Sequence, residues 1–188
     1  MRIGLVRHFK VNHPFPKKRL LSKSEVTDWF AEYDNSENLS YKAVALNQID
    51  WKRCYCSTMI RAKLTAGYIY NGQITELEEL RELNIFPRLS DKIKLPFILW
   101  AIIVRIKSLS GGKDVQQFEN KISDATGNIL SNNVGDVLIV SHWFVMRVIR
   151  KELIRKGFTG DKFKSDDYGT LYIYENAENP EQSVVREN

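Results

Sequence analysis

The run Val137-Leu-Ile-Val140 constrains the fold most tightly. It is apolar at four consecutive positions, is introduced by Gly135-Asp136, and is followed by helical periodicity over 144–156 that Gly157 stops. A short apolar run bounded by turn signals reads as a buried strand. Residues 3–6 are a second such run, ending in charge, and Cys54-Tyr-Cys-Ser57 is a third. Helical spacing over 58–70 follows that third strand, with Ile60, Leu64, Gly67 and Ile69 near one face. Ser22 and Glu25 have capping-box spacing and open a helix through about residue 33. Further helices are expected over 96–109, closed by Gly111-Gly112, and over 115–130, where Phe118, Ile122, Ala125 and Ile129 recur at helical intervals. Residues 9–21, with Pro14, Pro16 and Lys17-Lys18-Arg19, read as a loop, and 76–83 is ambiguous between strand and irregular structure. A last strand alternates over 170–174, before a polar tail from about residue 176 that is expected to fray. Strands alternating with helices give an α/β fold: a three-layer α/β/α sandwich around a mostly parallel sheet, in one domain over 1–188.

Charge narrows the partners. A net charge of +5 favours anionic ligands such as phosphorylated metabolites. The 28 basic residues are nevertheless spread among 23 acidic ones, without zinc-finger spacing or an RNA-binding aromatic signature, so no nucleic-acid partner is expected. Two cysteines are too few for a disulfide framework, and Cys54 and Cys56 fit one buried side of a strand. The most hydrophobic stretch, 95–104, falls short of the roughly 20 residues that cross a bilayer. Lys92, Lys94, Arg105 and Lys107 bracket it. A buried helix with Pro96 in its first turn is the expectation, and docking on a membrane surface the lesser alternative. The first apolar run is too short for a signal peptide. A cytoplasmic protein with no membrane partner follows, while oligomeric state is not legible.

Two of the three histidines, His8 and His142, lie just beyond apolar strands. Ligands of open α/β sheets gather outside the carboxyl ends of strands, so two histidines arriving there form a constellation. His13 sits in the proline loop and reads as solvent-exposed. Arg7 adjoins His8, Arg61 follows the strand ending at Ser57, and Arg147 lies early in the helix after His142. Guanidinium forks match phosphate oxygens, and the helix starts after Ser57 and His142 add N–H donors, giving a cationic pocket suited to phosphoryl transfer. Two histidines and Glu82 are a conceivable metal set, but Arg7 beside them repels a dication and no His-x-x-x-His or Cys-x-x-Cys spacing occurs, so no metal is expected. Gly111-Gly112-Lys113 lacks P-loop spacing, and a serine-hydrolase elbow is missing.

Leu5-Val-Arg-His-Phe-Lys10, Cys56-Ser-Thr-Met-Ile-Arg-Ala62, Glu79-Leu-Arg-Glu-Leu83, Gly112-Lys-Asp114 and Val140-Ser-His-Trp-Phe-Val-Met-Arg147 follow one another in order. Asp167-Tyr-Gly-Thr-Leu171 then leads into the closing strand. From residue 3 to about 174 this series resembles the histidine phosphatase superfamily, the phosphoglycerate mutase-like family. The resemblance implies that family's fold and a phosphatase that hydrolyses phosphate monoesters through a phosphohistidine, without a cofactor. His8 would be the nucleophile. Arg7, Arg61 and His142 would hold the phosphoryl oxygens, and Glu82 would be the general acid and base. The choice of Glu82 over Glu76, Glu78 and Glu79 rests on the family pattern. Substrates would be phosphorylated small molecules or phosphorylated protein side chains. The chain departs from the pattern at Phe9 and Trp143, which stand where glycines normally follow the histidines, and at Thr58 and Lys113. Residues 9–48 carry little of it. Two alternatives stand beside hydrolysis: a mutase-type phosphotransferase, and a non-catalytic phosphate-binding relative favoured by the two aromatic replacements.

Overall fold

In the computed structural model, which describes residues 1–82, 86, 89–109, 112–164 and 167–176, strands and helices alternate. In chain order they are β1 (Arg2–Arg7), β2 (Lys10–Val11), α1 (Lys23–Asn35), β3 (Leu39–Ser40), β4 (Arg53–Ser57), α2 (Ile60–Ile69) and β5 (Ile74–Leu77). A 3-10 turn (Glu78–Leu80) precedes α3 (Phe97–Leu109), α4 (Lys113–Ser131), β6 (Val137–Ser141), α5 (Trp143–Arg155), β7 (Phe158–Gly160) and β8 (Leu171–Asn176).

Six strands form the central sheet in the order β5-β4-β6-β1-β8-β7. The first four run parallel, and β8 and β7 close one edge antiparallel. The run that opened the sequence argument is the strand beside β1 and β4, and all five residues of β6 are buried. One face of the sheet, with Ile3, Leu5, Val137 and Ile139, packs on Ile122 and Ile129 of α4 and Val145 and Ile149 of α5. The other, with Val6, Leu138, Val140 and both cysteines, packs on Ala62 and Ala66 of α2. This is the three-layer α/β/α sandwich. Both thiols are free, and burial pushes them up, Cys56 to about 11, as befits small core hydrophobes. The capping box forms as its spacing requires: Ser22 Oγ accepts from Glu25 N, and the Glu25 carboxylate from Ser22 N.

Four expectations change. Residues 10–11 of the proline loop are strand β2, paired with β3 as a two-stranded ribbon. The buried face of α2 is Arg61, Ala62, Thr65 and Ala66, because small residues let the helix approach the sheet closely, while Gly67 is exposed. Residues 158–160, unassigned from sequence, form edge strand β7. The expected buried helix, α3, is covered on one side only. Trp100 inserts between Leu21 and Val26 with its Nε1 donating to the Leu21 carbonyl (2.8 Å), and among the described residues the outer side is open, with Ile98 and Ile106 more than 60% exposed. Pro96 immediately precedes α3, its carbonyl accepting from Leu99 N and Trp100 N. The polar tail beyond residue 176, Leu83 and Gly111 lie outside the described residues.

Candidate active site

Sheet order brings the chemistry together. Strands β4, β6 and β1 are neighbours in register, with Cys56 and Val6 both beside Val140. His8 N continues the ladder, donating to the Ser141 carbonyl at 3.0 Å. Whatever follows these three strands therefore meets at one sheet end: Ser57 and Arg61 after β4, His142 after β6, Arg7 and His8 at the end of β1. Strand β5 pairs with β4, and the 3-10 turn after it leads to Glu82. Ser141 Oγ donates to the Leu80 carbonyl (2.8 Å), tying that turn to β6.

His8 is 3% exposed, and its Nδ1 lies 2.7 Å from the Phe9 carbonyl oxygen. A carbonyl only accepts, so Nδ1 carries the proton and Nε2 the lone pair. Arg61 Nε donates to that Nε2 at 3.2 Å. The guanidinium is held from behind by Asp34, whose carboxylate is 2.7 Å from NH1. Burial, then the charge of Arg61, keeps His8 well below the usual histidine range. The His142 ring is 5.0 Å away, centroid to centroid, and is lowered in the same way, by burial and by Arg61. His142 Nε2 is 2.9 Å from Ser57 Oγ, which also accepts from Met59 N, while its buried Nδ1 has no hydrogen-bond partner among the described residues. Arg7 NH2 donates to Tyr168 Oη (2.8 Å), its guanidinium carbon lies 3.7 Å from that ring's centroid, and burial lowers it.

These groups floor a cleft of about 470 Å³. Arg7, His8, Arg61 and Glu82 line it; His142 lies behind His8. Of the four acids weighed from sequence, Glu82 alone reaches the cleft. Glu76 faces Lys63, Glu78 faces Arg81, and Glu78 and Glu79 line a neighbouring recess that Glu82 also borders. That recess is larger, about 740 Å³, but holds none of the histidines, Arg7 or Arg61, so chemistry rather than size identifies the site. Above the floor the walls are Phe15, Trp29, Tyr33, Phe97, Trp143 and Phe144. Among the described residues no three His, Cys, Asp or Glu side chains converge where they could hold a metal ion.

The two aromatic replacements differ in consequence. Phe9 is fully buried with Val11 and Leu39, edge-on to Tyr41 and Tyr68, and its N–H donates to Thr65 Oγ1 (2.9 Å). It therefore neither narrows the cleft nor walls it. Trp143 does form a wall, with the Arg105 guanidinium 4.4 Å over its ring. Arg147 is exposed and stacks on Trp143 at 5.0 Å, outside the lining. Lys10 and Arg105 line the cleft where Arg147 was expected. Lys113 and Asp114 are exposed at the start of α4, away from the cleft. His13 is half-buried rather than free in solvent, 5.1 Å from the Trp29 ring, and lines the cleft. Sequence reasoning missed Tyr33, Asp34 and Tyr168. The first two end α1, where the i, i+4 pair Trp29–Tyr33 was the signal. Tyr168 stood in a segment read only as the lead into the closing strand.

The family described as "Histidine phosphatase superfamily (branch 1)" matches residues 39–187, a span that holds Arg61, Glu82 and His142 but not Arg7 and His8. No protein of curated function matches the chain. Among solved structures it is similar to the alpha-ribazole phosphatase of Shigella flexneri, with 15% identity over 94% of this chain and 96% of that one and a TM-score of 0.50. The phosphoserine phosphatase of Entamoeba histolytica, solved with 3-phosphoglyceric acid, shares 16% identity over 82% of this chain and 80% of that one, with a TM-score of 0.43. At such identities the likeness is one of fold.

Proposed function

The chain belongs to the histidine phosphatase superfamily, and on that premise we propose that it hydrolyses phosphate monoesters by way of a phosphohistidine on His8. The observation that carries this reading is the His8 ring. Its proton is held at Nδ1 by the Phe9 carbonyl, which leaves Nε2 neutral with its lone pair accepting from Arg61 Nε, a hydrogen bond that bond formation to phosphorus replaces. A buried imidazole kept neutral is a competent nucleophile at neutral pH.

Nε2 attacks phosphorus while the bond to the ester oxygen breaks, and Glu82 gives that oxygen its proton. Glu82 then takes a proton from water as the water oxygen attacks phosphorus. The P–N bond breaks, and inorganic phosphate and free His8 result. Arg7 and Arg61 hold the phosphoryl oxygens, and His142 stands behind His8, outside the lining of the cleft. Tyr168 positions Arg7, and Asp34 positions Arg61. The aromatic walls favour a phosphorylated small molecule with an apolar or aromatic body, with Trp143 replacing open space by a ring.

The test is phosphate release from p-nitrophenyl phosphate and a panel of alkyl phosphates, with acid-labile phosphate trapped and mapped. Wild type should turn over aryl and long-chain esters in preference to glycerol phosphate, and His8→Ala should abolish both release and labelling. Glu82→Gln should slow turnover by about 10²–10⁴-fold. Release that His8→Ala leaves intact, or label on another residue, refutes the assignment. Transfer between phosphoglycerate positions without net release assigns mutase chemistry instead.

A further inference from the structure

Twelve large hydrophobic side chains are exposed among the described residues, and seven of them fall in two short segments, 15–20 and 93–106. Ile98, Ile102 and Ile106, four residues apart with Leu99 beside them, make a stripe along α3 about 12 Å long. The bridge between Leu21 and Leu95 sets Leu20 and Ile93 beside the start of that helix. Phe15, 75% exposed, meets Phe97 edge-on at 5.6 Å. These side chains gather around the start and the outer side of α3, whose opposite side is the core formed by Trp100.

Its charge is one-sided. Residues 12–21 and 89–109 carry the Lys17-Lys18-Arg19 run together with Lys92, Lys94, Arg105 and Lys107. Their one acid, Asp91, accepts from Ser24 N and Oγ. Lys18 pairs with Glu25, and Arg105 stacks on Trp143; both remain at the margin of the stripe.

We propose that this face docks the protein on the surface of an anionic lipid bilayer. Aliphatic side chains rimmed by lysines, with no polar group inside the stripe, suit acyl chains and anionic headgroups. Protein interfaces are poor in lysine and rich in polar pairing partners, so they suit the face less. No helix of the described residues is long and apolar enough to cross a membrane. A 13-residue helix spans only about 20 Å and lies along the interface instead. Phe97, Ala101, Val104 and Arg105 of this helix line the cleft, so docking brings the mouth of the cleft to headgroup level. The docking stands without the phosphatase reading and is measured without activity.

The experiment is sedimentation of the full chain with vesicles of equimolar phosphatidylglycerol and phosphatidylcholine, and with phosphatidylcholine alone. Binding should be strong to the anionic vesicles, weak to the neutral ones, and reduced by salt. Replacing Ile98, Ile102 and Ile106 together by Ser should abolish it, with an unchanged circular dichroism spectrum because all three are exposed. Lys92→Glu and Lys94→Glu, which leave the apolar stripe intact, should each weaken it about fivefold or more. Three outcomes overturn the proposal: no sedimentation with anionic vesicles, sedimentation indifferent to both sets of variants, or a concentration-dependent dimer that the serine substitutions abolish.

Discussion

Both site histidines are buried and held neutral, so acidification should destabilise the fold through them specifically. A histidine at its ordinary 6.5 in the unfolded chain takes up a proton as pH falls past that value, while His8 and His142, both lowered well below it, do not. The unfolded state then binds more protons, and stability falls with pH below about 6.5 until the native groups themselves titrate. For a group that stays neutral when folded, the loss between about pH 7.5 and 5.5 is roughly 1.4 kcal/mol, so about 3 kcal/mol for the pair. That is a large part of the 5–15 kcal/mol typical of a domain, and it should lower the urea midpoint by roughly 1–3 M. The assay is urea unfolding at both pH values for wild type and for the His8→Asn/His142→Asn protein. His13 and the carboxylates are common to both and cancel. Wild type should lose about 3 kcal/mol more than the variant on acidification. Equal losses would show that the two rings titrate normally in the fold, and the neutral-nucleophile argument would fall with that result.

Three further outcomes follow from individual contacts. Asp34→Asn leaves the buried Arg61 guanidinium without its carboxylate and, discounting for the partial exposure of Asp34, should cost about 2 kcal/mol in urea unfolding while raising KM for aryl phosphates. Gly169 has φ +55° and donates its N–H to the Arg7 carbonyl, and a Cβ there would lie 2.6 Å from the Phe9 ring. Gly169→Ala should therefore destabilise by about 2 kcal/mol and lower kcat/KM through Arg7, both measured on the same preparation. The acid limb of kcat/KM should lie below the ordinary histidine range, because His8 already has its lone pair at neutral pH; a limb at about 6.5 in the free enzyme would contradict the structure.

The sheet was legible because its signal is local. Residues 3–6, 54–57 and 137–140 are apolar runs bounded by turns, and each became a parallel strand of the predicted sandwich. The site followed, since histidines and arginines placed just after such strands meet wherever the strands are adjacent. What stayed hidden depends on contacts between distant segments. Strand β2 is two residues long and exists because β3 pairs with it. His13 looked exposed because nothing in the proline loop announces that Trp29 and Tyr33 will cover it. The consequence of Phe9 in place of glycine was not legible because sequence gives the residue but not the direction of its ring, which turns toward Val11 and Leu39. The hydrophobic stretch at 95–104 looked buried because apolar content was weighed without asking what would lie outside the helix.

Helix α1 joins the two halves of this molecule that matter for function. Its middle supplies Val26 and Phe30 to the core around Trp100, beneath α3. Its end supplies Tyr33, pushed up to about 12 by burial, and Asp34 to the site. A capping box fixes its beginning, so the helix enters this arrangement with its register set. The Arg61 guanidinium accordingly takes its position from two directions: from α2, which is packed closely on the sheet through Ala62 and Ala66, and from an ion pair whose other member lies near the end of α1. Because the basic apolar face of α3 and the Asp34 carboxylate share α1 as their support, a shift of α1 would reach His8 by way of one ion pair and one hydrogen bond, Asp34 to Arg61 and Arg61 to His8. That chain is short and wholly within 2.7–3.2 Å contacts, so the end of α1 belongs to the geometry around His8.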